Sequence, residues 1–113
     1  MLLTTQDQFS EYDIIETLGL VKGNTVRARH AGKDILAAFR NVVGGEIEEY
    51  TKLLAESREQ SIDRMISMAK MMGADGIVCI RFTTSSIMQA ASEMFVFGTA
   101  VKLKKKEIKP KYP

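Results

Sequence analysis

Apolar residues recur along this chain with two different periods, and the change of period marks its elements. Residues 12–21 are rich in β-branched and large apolar side chains and are followed by Lys22-Gly23-Asn24, which predicts a first strand closed by a turn, with a short extended piece over residues 25–29. Apolar residues then recur at three- and four-residue intervals from Lys33, which predicts a short amphipathic helix ending at Gly44-Gly45.

A long amphipathic helix is predicted over residues 46–72, where an apolar stripe runs along one side and Gly73 can cap the C-terminal end. Acidic residues crowd its first turn and Lys70 lies in its last, which suits the helix dipole. We expect the stripe to face a sheet and to bury Leu54, Ile62, Ile66 and Ala69.

Two further strands are predicted over residues 77–84 and 93–103, joined by a polar connection. The order strand, short helix, long helix, strand, strand indicates an α+β fold of two layers, in which a small antiparallel sheet packs on the long helix. The first strand can pair beside the last strand in an antiparallel sheet, or beside residues 77–84 through a right-handed crossover. The antiparallel arrangement is favoured.

The last strand is apolar on both faces, which one helix cannot cover. Because side chains alternate along a strand, one face carries Phe95, Phe97, Val101 and Leu103, and the other carries Met94, Val96, Gly98 and Ala100. We expect the phenylalanine face to contact the helix and the second face to be buried against another copy of the chain. The pattern therefore predicts a homo-oligomer.

Composition places the chain among ordinary globular proteins. Its 113 residues suit one domain, and 45% hydrophobic with 27% charged residues is typical of a soluble protein. We expect no membrane span and no secretory signal, because no apolar run approaches about 20 residues and the N-terminus turns polar after Leu3. A single cysteine excludes an internal disulfide framework, and we expect a cytoplasmic location.

Metal ligands are scarce in this sequence. Cys79 and His30 are the only cysteine and histidine, whereas a firm site for a soft metal needs several thiolate or imidazole ligands. We expect Cys79 to be a small buried hydrophobic residue and His30 to lie at the surface or to cap a helix. A ring of subunits could still gather several copies of Cys79 around one axis, which makes Cys79 the one metal candidate.

Two arginines interrupt apolar surfaces and are the candidate ligand-binding residues. Arg58 lies at the edge of the stripe of the long helix, and Arg81 lies within the strand predicted over residues 77–84. A charge in such a place needs a partner or access to water. Pairing with a carboxylate across a subunit boundary is favoured, and lining of a small ligand cleft is the alternative.

Two other patterns favour structural explanations. Gly44-Gly45 precedes a helix, as in an anion site, but the acidic residues that follow would repel an anion and indicate a tight turn instead. Residues 105–113 form a basic tail that we expect to be mobile. The tail offers only Tyr112 for stacking and Glu107 interrupts its charge, so no nucleic-acid partner is expected.

Several short motifs in this order resemble the YbjQ-like family of small bacterial and archaeal proteins, whose descriptive name refers to heavy-metal binding. These motifs extend over roughly residues 4–103 and comprise Gly19-Leu20-Val21-Lys22-Gly23, Val43-Gly44-Gly45-Glu46 with Tyr50-Thr51, Arg58 with Met65 and Ala69, Gly73-Ala74-Asp75-Gly76-Ile77-Val78, Arg81-Phe82 and Gly98-Thr99-Ala100-Val101. Ser61 and Gly76 depart from the alanines usual in the family. The resemblance implies one domain over residues 1–104, a dodecin-like subunit and a ring-shaped homo-oligomer of five copies, but no established reaction.

The sequence thus favours a binding protein over an enzyme, because no nucleophile–base pair or pair of carboxylates can be assigned a catalytic role. We expect a ring-forming protein that binds a small ligand or a metal ion at subunit boundaries. A structural scaffold that presents a surface to protein partners is the alternative. No cofactor is indicated.

Overall fold

A four-stranded sheet and one long helix make up the computed structural model, which describes residues 1–28, 46–88 and 91–107. The elements are β1 (Leu2–Leu3), β2 (Tyr12–Ala28), α1 (Glu46–Met71), β3 (Gly76–Met88) and β4 (Ala91–Lys105). The strand order is β1-β3-β4-β2. The helix lies on one face of the sheet and packs mainly on β2 and β4.

The predicted pairing of the main strands is confirmed. Strand β4 lies between β3 and β2 and is antiparallel to both. The sheet is mixed, however, and not wholly antiparallel, because β1 adds in parallel to the outer edge of β3. The predicted short helix lies outside the described residues, and the dodecin-like detail stays a prediction. No helix in the described part of the chain is long and apolar enough to cross a membrane.

Strand β2 does not turn at residues 22–24, as the sequence pattern had indicated. It continues through Gly23 to Ala28, because β4 provides a pairing partner over the same length. At the other end of β2, Tyr12 pairs with Lys105, the last residue of β4. The Lys106 N–H then donates to the Glu11 carbonyl oxygen at 2.9 Å. The remaining tail residues 108–113 lie outside the described residues.

Helix α1 ends as predicted at Gly73, which has a φ of 77°. The Gly73 N–H donates to the Lys70 carbonyl, and the Ala74 N–H donates to the Ala69 carbonyl, both at 3.0 Å. These two bonds form a Schellman motif, which satisfies carbonyl groups that have no partner inside the helix. Ala74 then packs against the hydrophobic core, so the cap also sets the direction in which β3 begins.

The helix covers the face of β4 opposite to the one we expected. Val96 and Ala100 are fully buried against Met65 and Ala69 of α1, whereas Phe95 and Phe97 point away from the helix and are half-buried. Small residues on this side of the sheet explain why α1 packs on this face. A Cβ added to Gly23, which pairs with Val96, would come within 2.6 Å of the Met65 backbone nitrogen. The helix backbone can approach only a face without side chains in its path.

The residues of α1 that are buried against the sheet are also more polar than the apolar stripe in the sequence predicted. Ser57, Ser61, Met65 and Ala69 are fully buried, while Leu54, Ile62 and Ile66 are only partly buried. The hydroxyls are satisfied where they meet β2. The Thr25 hydroxyl donates to the Ser57 carbonyl oxygen at 2.7 Å and contacts the Ser61 hydroxyl, which also lies 3.2 Å from the Met94 carbonyl oxygen. Each buried hydroxyl in this cluster therefore has a partner.

A bulge in β3 interrupts its alternation. The register with β4 shifts between Val78 and Arg81, and Cys79 in the bulge has a φ of 56°. Ile77 and Ile80 both belong to the core under the helix for this reason. Arg81 pairs with Phe97 and so lies on the face without the helix. Regular alternation of side chains along the strand would instead place Ile77 and Ile80 on opposite faces.

The protein is strongly elongated. Its dimensions are 69 × 28 × 17 Å and its radius of gyration is 19.1 Å. A compact domain of 100 residues has a radius of gyration of about 13 Å. The excess comes from the length of β2, β3 and β4, which carry a large surface for a chain of this size.

Candidate functional site

An N-terminal segment, residues 1–7, lies along the outer edge of β3. The Leu2 N–H donates to the Asp75 carbonyl and the Thr4 N–H to the Ile77 carbonyl, at 3.2 and 3.1 Å. In return the Ile80 N–H donates to the Thr4 carbonyl at 3.2 Å, and the Cys79 N–H donates to the Gln6 carbonyl at 2.9 Å. The segment thus satisfies the outward backbone groups of the first part of β3, including those of the bulge.

Arg81 fixes this segment to β3. Its Nη1 donates to the Thr5 carbonyl oxygen at 2.7 Å and to the Ile80 carbonyl oxygen at 2.8 Å. Hydrogen bonds from a charged donor are stronger than those between neutral groups, although exposure of the side chain weakens them here. One arginine therefore links two backbone segments, and the predicted pairing with a carboxylate of another subunit stays untested.

Cys79 and Arg58 lie apart from each other and in different surroundings. Cys79 is a free, half-buried cysteine in the bulge at the edge of β3, and not the fully buried residue that we expected. Arg58 is exposed on α1, which covers the other face of the sheet from Arg81. The two arginines therefore do not line one cleft. His30 lies outside the described residues, in which no three potential metal-ligating side chains cluster.

A groove of about 250 Å³ lies between α1 and the N-terminal segment. Its walls are mostly apolar and comprise Leu3, Thr4, Thr5, Ile62, Met65, Ile80 and Phe82. Phe82 remains 46% exposed there, because α1 lies mainly over β2 and β4 and covers β3 only in part. This groove could not be predicted from the sequence. One of its walls is the N-terminal segment, and no periodic pattern of apolar residues indicates that this segment pairs with β3.

The sheet face without the helix carries a second apolar surface. Leu20 and Val26 of β2 are 60% and 49% exposed on this face. On β4, Phe97 pairs with Lys22 and Phe95 with Asn24, so the two phenylalanines are diagonal neighbours of Leu20 and Val26, with their ring centroids 5.6 Å apart. We call this surface, defined by Leu20, Val26, Phe95 and Phe97, the open face. Exposed apolar side chains that adjoin one another are typical of a surface that binds another protein.

The family described as "Putative heavy-metal-binding" matches residues 1–104. A UPF0145 protein of Pseudothermotoga lettingae is 56% identical over 105 residues, which cover 93% of this chain and 99% of that protein. A UPF0145 protein of Archaeoglobus fulgidus is 51% identical over 104 residues, which cover 92% of this chain and 96% of that protein.

Among solved structures, a protein of unknown function from Pediococcus pentosaceus, assigned to the DUF74 family, is similar with a TM-score of 0.54. The similarity covers 92% of this chain and 98% of that one, at 15% sequence identity, so it concerns the fold alone. The match over residues 1–104 and the high identity of the relatives agree with the motifs found in the sequence. The chain belongs to the YbjQ-like family of UPF0145 proteins.

Proposed function

We propose that this protein acts as a ring-forming homo-oligomer that binds a small ligand or a metal ion at the boundary between subunits. The observation that carries the proposal is the open face, where Leu20 and Phe97 would remain in contact with water in a single chain. Burial of apolar surface contributes about 25 cal/mol per Å², before the costs of association are subtracted. The number of five subunits rests on the family resemblance.

The location of the candidate residues supports a site at a boundary. Cys79 and Arg81 both lie at the outer edge of β3, beside the N-terminal segment, and are accessible there. A neighbouring subunit at this edge would bring a second set of groups to them. The Arg81 guanidinium suits an anionic small molecule, whereas the Cys79 thiol would suit a soft metal ion. A cytoplasmic location and the absence of catalysis stay predictions.

Sedimentation velocity at micromolar concentration tests the assembly. We expect the wild-type protein to sediment as an oligomer, and Leu20→Glu to weaken it because the substitution places a charge on the open face. Ser67→Glu is the matched control, since it adds the same charge at an exposed position of α1. A wild-type protein that stays monomeric would contradict the proposal, and so would an equal effect of the two substitutions.

Titration calorimetry with zinc and with copper tests the metal ion as ligand. We expect no stoichiometric sub-micromolar metal binding, because each chain offers one cysteine and one histidine, so a small molecule is the expected ligand. Sub-micromolar binding that is lost in Cys79→Ser would instead assign the metal to the boundary. Native mass spectrometry of the intact oligomer, followed by release of its contents, tests the small ligand. An oligomer that carries nothing and binds neither metal would favour the scaffold function.

A further inference from the structure

Two cations lie on either side of one aromatic ring of the open face. Phe97 of β4 pairs with Lys22 of β2 and with Arg81 of β3, so the three side chains project from the same side of the sheet. Neighbouring strands are about 4.8 Å apart, which places the Cα atoms of the two cations roughly 10 Å from each other. Lys22 and Arg81 are exposed and Phe97 is half-buried, so a ligand can reach both the charges and the ring.

Neither cation has a carboxylate partner in the part of the chain that the structure describes. Lys22 makes no hydrogen bond or ion pair there. Arg81 uses Nη1 for the carbonyl oxygens of Thr5 and Ile80, and its Nε and Nη2 make no bond to the described residues. Two positive charges therefore stand beside one ring without a negative charge to balance them. Charge complementarity at this place favours an anionic ligand, and the guanidinium suits a phosphate or a carboxylate.

The second aromatic ring of the open face lies between two uncharged polar side chains. Phe95 pairs with Asn24 of β2 and with Thr83 of β3. The Thr83 hydroxyl has no partner within the described residues, and the Asn24 side chain keeps its amide oxygen while its Nδ2 donates to Glu93 at 3.2 Å. A half-buried ring with hydrogen-bonding groups on both sides suits a flat heteroaromatic ring, which stacks on the ring and bonds along its rim.

The positive charge beside the open face is confined to the level of Phe97. On one side the next pair is Leu20 with Thr99, which carries no charge. On the other side, beyond Phe95, the carboxylate residue Glu93 lies roughly 13 Å along the strand at about 3.3 Å per residue. The two phenylalanine rings, inclined by 34°, also lie close enough to form one stacking platform. A strand of nucleic acid needs cations along its path, whereas this surface matches one base and one short phosphate group.

We propose that the open face and the polar side chains beside it bind a nucleotide. Its base stacks on Phe95 and bonds to the uncharged groups on both sides of that ring. Its phosphate lies beside Phe97 and accepts hydrogen bonds from Lys22 and Arg81. This inference rests on the small-ligand function proposed above and names the class of that ligand, since Arg81 also lies at the proposed subunit boundary. The binding groups are complete within one chain, and a neighbouring subunit over the open face would shield the ligand from water.

Titration calorimetry of the full chain with ADP and with GDP tests the inference. Adenosine carries a base without phosphate, and ribose 5-phosphate carries phosphate without a base. We expect the diphosphates to bind, and each of these two probes to bind roughly tenfold more weakly or not at all, because base and phosphate contact different groups. Raising the salt concentration from about 0.05 to about 0.5 M should weaken the binding of ADP, since exposed charges are screened. Binding of ADP that salt does not change, or that adenosine equals, would overturn the inference.

Two pairs of variants locate the site. Lys22→Gln and Phe97→Leu should each raise the Kd of ADP roughly fivefold or more, because the first removes a charge and the second a stacking ring. Lys70→Gln and Phe82→Leu are the matched controls, since they make the same changes at exposed positions on the helix side of the sheet. We expect both controls to bind ADP as the wild type does. Equal effects in test and control variants would overturn the inference, and the lysine pair decides it if a phenylalanine variant fails to fold.

Sedimentation of the same samples separates this inference from the proposed oligomer. An oligomeric wild-type protein that binds neither ADP nor GDP at millimolar concentration would overturn the inference and leave the assembly in place. A monomeric wild-type protein that binds ADP would support the nucleotide site and contradict the ring. Binding of a single-stranded oligothymidylate more tightly than ADP would also overturn the inference, because it would show a nucleic-acid surface in place of a nucleotide site.

Discussion

Replacing Gly23 by alanine should separate the helix from the sheet. A Cβ on Gly23 would collide with the Ser61 carbonyl oxygen, approach the Met65 backbone nitrogen to 2.6 Å and approach the Arg64 Cβ to 3.1 Å. Two of these atoms belong to the helix backbone, so no side-chain rotation relieves the clash. An ordinary contact of about 3.5 Å with the Ser61 carbonyl oxygen requires α1 to move away from β2 by about 1.5 Å.

The expected loss in the free energy of unfolding follows from the contacts that this movement of α1 would break. Overpacking of a core costs about 1–3 kcal/mol. The hydrogen bonds of Thr25 to Ser57 and of Ser61 to Met94 bridge the same gap, and each lost buried bond costs about 1 kcal/mol. We therefore expect Gly23→Ala to lower the free energy of unfolding by about 3–5 kcal/mol, a large part of the stability of an ordinary domain, about 5–15 kcal/mol.

Urea unfolding followed by far-ultraviolet circular dichroism measures this loss, at one fixed protein concentration because the proposed assembly would add to the apparent stability. Gly73→Ala is the matched control. Its added Cβ would meet nothing within 4 Å, and it pays only the cost of a positive φ, about 1–2 kcal/mol. A loss for Gly23→Ala no larger than that for Gly73→Ala would refute the close contact between α1 and β2.

Four further substitutions test the core and the N-terminal segment. Thr25→Val should cost about 1–3 kcal/mol in urea unfolding, because it removes the hydroxyl that bonds to α1. Met65→Ala should cost about 2–5 kcal/mol and Ile66→Ala clearly less, since only the former is fully buried; the reverse order would contradict the assigned helix face. Arg81→Gln should speed hydrogen exchange of the Thr4 amide at least tenfold while the Val21 amide keeps its protection; unchanged exchange at Thr4 would show that the arginine does not hold the segment.

The elements that local signals specify could be predicted from the sequence. Helix α1 was expected over residues 46–72 and is found over Glu46–Met71, because its period persists for seven turns and Gly73 marks its end. The antiparallel pairing of β2 with β4 was the favoured of two arrangements that the order of the elements and the rules for connections allowed. The first prediction depends on features within one element, and the second on the order of the elements along the chain.

Features set by distant parts of the chain could not be predicted. Strand β1 has two residues, too few for a period, and exists because its backbone pairs with β3 more than 70 residues away. Arg81 was singled out because its charge interrupts apolar positions, but the Thr5 carbonyl that it binds gives no signal of its own. The groove and the bulge at Cys79 both depend on contacts with the N-terminal segment. The sequence therefore indicated Arg81 as a residue of interest, but not the geometry of the β3 edge on which it lies.

The two apolar faces of β4 show why the choice of helix face needs volume as well as hydrophobicity. By hydrophobicity alone, Phe95 and Phe97 are the better partners for a helix, and that preference led to the wrong face. Gly23 and Ser61 instead let the two backbones approach until a side chain no longer fits between them, and close packing there fills the core with small residues. The bulky side chains of Phe95 and Phe97 are then left on the other face, which is the surface that the proposed homo-oligomer would bury. A glycine opposite a row of small helix residues therefore identifies the face of the sheet that packs on the helix within one chain.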